Sequence, residues 1–285
     1  MANLLYVVTN LLDGSTMSSS AEDALFPRAN LYDGFPSRPF KFAVAGLNQV
    51  IITNLGSAKS VDFCSIHGHN IDSGITAVQF RSSTDNFSSS NDLEATFTVR
   101  TPAMYVRLSA PKSRRYWGLQ FVGTNSVPVQ IGEIVLGLAD TLTVEPRHEI
   151  ETRERRAQIR NRTSAGELSV VNLTDFATKE LIMTFRGSYT ALEDVRDSLW
   201  AATDHGADPC VIVPSDDRPE VHFGHFQGEL PISRLFASAT AAKELYEYEL
   251  TFQESAFAVA ISVSPLYGAG TVAAAGTASA DGVVV

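Results

Sequence analysis

The chain has 285 residues, 44% hydrophobic and 19% charged. That is enough apolar material for one large core or two ordinary ones, and it excludes a disordered chain. The formal charge of −10 excludes a protein whose main task is to grip a phosphate backbone, so no nucleic-acid partner is expected.

Two cysteines, Cys64 and Cys210, are too few for a disulfide scaffold. The first residues, MANLLYVVTNLLDGS, carry no basic leader or cleavage site, so synthesis in the cytoplasm without a signal peptide is expected. No run of about 18 apolar residues occurs, and no membrane insertion is expected.

From Leu4 to about Leu138, short β-type runs alternate with Gly, Asn, Ser and Asp clusters. Strands are predicted at Leu47–Leu55, Val61–His67, Thr76–Ser82, Ala95–Arg100, Met104–Ser109, Arg115–Val122 and Val129–Leu136. With no helix pattern between them, they predict a β-sandwich over residues 1–140. Residues 141–160, with Pro146 near their start, mix both charge signs and read as a charged linker or an exposed strand pair. The alternative is a charged face that docks on a neighbour.

A second β-rich unit is expected over 161–262. Glu167–Leu173 and Glu180–Phe185 read as strands joined by a turn at Thr174-Asp175. Thr190 and Glu193 have the spacing of a capping box, which predicts a helix near 190–203 with Leu192, Val195, Leu199 and Trp200 on one face and His205-Gly206 at its end. Cys210–Val213, between two prolines, reads as a buried strand, and Val221–Leu230 and Glu244–Gln253 finish the unit. Residues 263–285 are Gly/Ala-rich and form either a flexible tail or an arm that adds strands to a neighbour.

Candidate chemistry is sparse. Cys64, His67 and His69 resemble half a zinc site, but no second matching cluster follows, and burial explains them more simply. His222 and His225 sit three apart on a predicted strand, which points their rings to opposite faces. The acid pairs Glu193-Asp194 and Asp216-Asp217 and the serine runs 18–20 and 88–90 belong to helix starts and loops. No nucleophile elbow, phosphate loop or dinucleotide fingerprint occurs, so neither an enzyme nor a cofactor or metal is expected, and the binding residues stay unassigned. Phe35, Phe40, Phe42, Tyr116 and Trp117 either fill the core or stack on a sugar.

Two resemblances add to this reading. Pro27–Gly34, Val50–Gly56, Ile66–Asn70, Arg115–Leu119 and Ile131–Ile134 occur in an order that resembles a galactose-binding-like, discoidin-type β-sandwich, or jelly roll, over the first 138 residues or so. Asn54 stands where that family commonly carries an acid, and the paired cysteines of its animal members are missing. From Thr190 through Cys210–Val213 and His222–Gly224 to Tyr246–Glu254, the second half is similar to the ring-forming sandwich of phage distal tail proteins. Those proteins usually place the ring domain first.

The resemblances imply a mainly β, non-enzymatic structural component of a bacteriophage tail tip or baseplate. It would form a homo-oligomeric ring, hexamer or trimer, in the virion and contact tube, hub or fibre proteins. The alternative they imply is a carbohydrate-binding adhesion module for a host surface glycan. An enzyme acting on glycans would need two convergent carboxylates in a cleft.

Overall fold

A computed structural model describes residues 4–142, 144, 146, 150–155, 158–162, 168–172, 178–215, 220–229, 231–236 and 244–255. The expected arm at 263–285, the Thr174-Asp175 turn and the Asp216-Asp217 pair lie outside them. Over the described residues the protein is mainly β, built from β-sandwich sheets and one α-helix, as the sequence predicts.

Strands are numbered here in chain order. The first sheet contains β2 (Thr16–Ser19), β4 (Gln49–His67), β5 (Ile75–Ser83), β6 (Asp92–Phe97), β7 (Ala103–Gly123) and β9 (Glu133–Gly137). Its order is β2-β4-β7-β5-β6, with β9 on the far half of β4. A second pair, β3 (Phe40–Lys41) and β8 (Gln130–Ile131), accompanies it.

Two pairs of predicted strands are each one long strand. Leu47–Leu55 and Val61–His67 join in β4, and Met104–Ser109 and Arg115–Val122 join in β7. Their polar middle stretches lie opposite one another, with Lys59 paired to Arg114 and Ser60 to Ser113. Each stretch satisfies the other's backbone groups while its side chains face water, so composition gave them the look of loops. The register slips where Gly56 adopts a φ of 76°.

The core of this unit is aromatic. Trp117 stacks on Phe80 at 4.8 Å, and Phe42 meets Phe40 at 4.9 Å and Phe121 at 5.9 Å. All five are buried, and geometry of this kind adds about 0.5–1.5 kcal/mol per pair beyond the area removed from water.

The second sheet has eight strands. It contains β1 (Leu5–Val7), β10 (Asp140–Thr141), β11 (Glu151–Arg155), β14 (Thr178–Gly187), β15 (Cys210–Val213), β16 (His222–Glu229), β17 (Ser233–Phe236) and β18 (Leu245–Glu254). The order is β10-β1-β15-β16-β18-β14-β11, with β17 also on β18. The helix α1 (Tyr189–Leu199) buries Leu192, Val195 and Leu199 among Met183, Phe185, Tyr248, Leu250 and Phe252 of this sheet.

The N-cap of α1 is Ser188, not the expected Thr190, and its Oγ accepts from the Ala191 N–H at 3.3 Å. Ser188 has the extended backbone a cap needs, so the helix begins one residue before the predicted start. A short 3₁₀ turn, Ala201–Thr203, follows the helix. Asp204, His205 and Gly206 then take positive φ in succession and turn the chain away.

The expected boundary near residue 140 does not divide the sheets. The first strand in the chain, β1, lies between β15 and β10 in the second sheet. A third apolar cluster joins Leu5 and Val7 to Phe63, Val135 and Ala139 and to Val211, Val213, Val221 and Phe223. Within residues 141–160, expected as a charged linker or an exposed strand pair, lie β11 and the start of β12 (Gln158–Arg162). Of these, β12 pairs only with β13 (Leu168–Asn172) among the described residues.

Candidate ligand cleft

Where the two sheets meet, a cleft of about 490 Å³ opens between residues of both units. One wall is the segment after β1, which turns at Asn10. The Asn10 side-chain amide donates to the Ile134 carbonyl at 2.9 Å, and its oxygen accepts from the N–H of Leu12 at 3.2 Å and of Leu136 at 3.1 Å. This clamp ties the turn carrying Asp13 to β9, which carries Glu133.

A second wall is the loop after the 3₁₀ turn Arg28–Leu31. Asp33 Oδ1 accepts from the Phe35 N–H at 2.8 Å, a side-chain-closed turn that suits the φ of 77° at Gly34. A Cβ on Gly34 would lie 3.5 Å from Pro209, so the loop runs close to the second unit. That unit supplies Asp208, Pro209, Cys210, Phe223 and His225 to the lining. The Asp208 N–H donates to the Thr203 carbonyl at 3.0 Å, and the Thr203 hydroxyl donates back to Leu199 at 2.8 Å, so α1 fixes this rim.

The cleft is acidic. Asp13, Asp33, Glu133 and Asp208 all line it. Glu133 is only 1% exposed, and its Oε2 has no hydrogen-bond donor among the described residues. Burial, with Asp33 and Asp13 adding to it, pushes its pKa up to about 9, while the Gly34 amide pulls the other way. Glu133 is therefore a neutral, proton-bearing carboxyl at pH 7. Burial also raises the pKa of Asp13, helped by Asp208, and of Asp33, where the Phe35 N–H and Arg38 oppose it.

Tyr32 and Phe35 supply the apolar part of the first unit's rim. Phe35 is 55% exposed, and the Arg38 guanidinium lies over one face of its ring at 5.0 Å. Of the aromatics singled out from sequence, Phe40, Phe42 and Trp117 are core residues. Tyr116 is half-buried beneath Arg115 at 5.0 Å, so of these aromatics Phe35 is the one that lines this cleft.

The histidines separate. His67 is buried with its Nε2 at 2.8 Å from Ser65 Oγ, and its ring lies 5.5 Å from Phe223 across the unit boundary. His69 Nε2 lies 2.7 Å from the Arg100 carbonyl. His222 Nδ1 lies 3.1 Å from Glu254, whereas His225 lines the cleft. Cys64 sits in the core of the first unit, where burial pushes the thiol pKa up. Among the described residues, no group of three or more His, Cys, Asp or Glu side chains is placed to hold a metal ion.

Glu193 lies on α1 at 3.8 Å from Arg196 in the next turn. Ser18 and Ser19 belong to β2, and the Ser89 and Ser90 amides donate to Asp85. Sequence reasoning missed Glu133, Asp33, Asp13 and Asp208. One signal was present: Glu133 is the sole charge in the apolar run Val129–Leu136, the pattern of an acid taken into a core.

No family model and no curated protein matches the sequence. Solved structures do match a part of the chain somewhat under half its length. A chitosan-binding module of a chitosanase/glucanase from Paenibacillus sp. IK-5 is similar at 17% identity and a TM-score of 0.40, over 45% of this chain and 98% of that one. A CBM32 module from a family 31 glycoside hydrolase of Clostridium perfringens is similar at 10% identity and a TM-score of 0.39, over 46% and 99%. Another Clostridium perfringens CBM32 module, solved with GalNAc-β-1,3-galactose, is similar at 11% identity and a TM-score of 0.39, over 46% and 100%.

Proposed function

We propose that this protein is a non-catalytic carbohydrate-binding module whose ligand lies in the cleft between its two units. The observation that carries the reading is a solvent-exposed Phe35 beside a group of carboxyls in a cleft of about 490 Å³. Ligand clefts span roughly 300–1,000 Å³ and combine an apolar wall with a few convergent polar groups. A sugar ring offers a C–H face for Phe35 and Tyr32 and hydroxyls for the carboxyls.

Glu133 in its protonated form beside Asp33 is also the charge pattern of a glycosidase pair. Binding without turnover is the better reading, because Glu133 is too deeply buried to reach a glycosidic oxygen. A glycan array followed by titration tests it. Phe35→Ala should weaken binding about tenfold, the ligand should be recovered intact, and the fold should be unchanged. An array with no ligand, or full affinity in the variant, would count against the reading.

A second reading, an oligomeric component of a phage tail tip with tube, hub or fibre neighbours in the virion, is favoured by one feature. The strands β12 and β13 pair with each other and, among the described residues, with no other strand. A two-stranded sheet with open edges suits pairing between copies. Native mass measurement tests it: a hexamer or trimer supports it, and a monomer at all concentrations opposes it.

A further inference from the structure

We propose that β11 is a docking edge for a second copy of this chain, which pairs with it antiparallel about a two-fold axis through Thr152. The proposal needs only this edge and rests on neither reading above.

The first observation is the edge itself. Among the described residues β11 ends the second sheet and pairs with β14 alone, in an unbroken register from Glu151 opposite Ile182 to Arg155 opposite Thr178. The side chains of Glu151, Thr152, Arg153 and Glu154 are all exposed. The outward N–H and C=O groups of such a strand are a template for a further strand. Proline, a bulge or like charges commonly blunt an edge of this kind. Here there is no proline and no bulge, and the charges differ in sign.

The second observation, independent of the first, is the order of those charges. A two-fold axis perpendicular to the sheet keeps each side chain on its own face, so only residues of one face can stand opposite each other across it. An axis at Glu151, Arg153 or Glu154 sets that residue against its own copy, charge against like charge. An axis at Thr152 does the reverse. It sets each Glu151 opposite the partner's Arg153, with threonine against threonine in the middle, and both kinds of cross-strand pair are favourable.

Within one copy Arg153 Nε lies 2.7 Å from Glu151 Oε1, and both side chains are more than half exposed. Pairing about Thr152 keeps this contact and adds to it. The two residues and their copies form a square of alternating sign, in which each charge has two opposite neighbours. A contact of this symmetry closes on itself, so it gives a dimer and no further growth. The strand is short, and a weak, concentration-dependent dimer is expected.

The test is sedimentation of the full chain between about 10 and 500 µM, where a monomer–dimer equilibrium is expected. Glu151→Arg and Arg153→Glu should each weaken the dimer about tenfold or more, because each sets like charges opposite one another, and salt should weaken it as well. Mixing the two variants should restore pairing, since one copy then offers two arginines and the other two glutamates. The double variant, E151R with R153E, should self-associate like the original chain. Restoration of this kind also shows that the single variants are folded.

A chain that is monomeric throughout would overturn the inference. So would loss of the dimer in the single variants with no recovery in the mixture or the double variant. A trimer or hexamer that both reversals leave intact would overturn it too, and would favour the tail-tip reading.

Discussion

Val7 lies directly opposite Val211 in an antiparallel pair, so the first strand in the chain is an inner strand of the sheet that belongs to its second half. Its neighbours Leu5 and Tyr6 face Val213 and Ile212, and all three β1 side chains are buried. The two units are thus fastened by sheet pairing as well as by apolar contact.

Deleting residues 1–8 should therefore destabilise the second unit more than the first. Each buried side chain contributes about 1.5–3 kcal/mol, so the urea midpoint should fall steeply. An unchanged midpoint would show that β1 contributes nothing to the second sheet.

Glu133 makes stability depend on alkaline pH. Its folded pKa is raised to about 9 from an ordinary value of 4.5, so the folded protein holds a proton that the unfolded chain gives up. Stability from this group is full below pH 4.5, falls as pH rises, and levels off above pH 9, with a slope of up to about 1.4 kcal/mol per pH unit. Glu133→Gln should flatten that slope, as read from unfolding curves between pH 5 and pH 9.

The buried imidazoles act at the opposite end. Burial, then His222 and His69, lower the pKa of His67 to about 3, and burial lowers that of His69 to about 4 against the Arg100 carbonyl. Both stay neutral when folded, so their contribution is present above pH 6.5 and is lost as pH falls toward those values. His67→Gln should reduce the acid-side slope by up to about 1.4 kcal/mol per pH unit. Because His67 touches Phe223, acid should loosen the boundary between units early, which hydrogen exchange at β9 and β16 would detect.

Gly132 sits where three segments meet. A Cβ there would lie 2.7 Å from the Pro36 carbonyl oxygen and 3.1 Å from that of His67, both backbone atoms. Gly132→Ala should cost about 1–3 kcal/mol. It should also weaken ligand binding, because the loop through Asp33 and Phe35 must shift.

Much of the fold was legible from sequence because most strands carry period-2 patterns or wholly apolar runs, as in Cys210–Val213 and Leu245–Glu254. Joining Leu47–Leu55 to Val61–His67 was not legible, since partner pairing rather than side-chain type keeps Lys59 and Ser60 extended. The partner of Leu5–Val7 was invisible for a similar reason: the strand is short and apolar on every position. The cleft was the least legible part. Asp13, Asp33 and Glu133 come together through the turn at Asn10 and the loop at Gly34, and Asp208 joins them only where the second unit meets the first.

The most direct test of the cleft as the ligand site is hydrogen–deuterium exchange on the full chain, with and without a saturating oligosaccharide from the array. Protection is expected together in peptides covering residues 31–36 and 207–210, one from each unit. Protection confined to the loops at residues 84–91, with none in those two segments, would contradict the account.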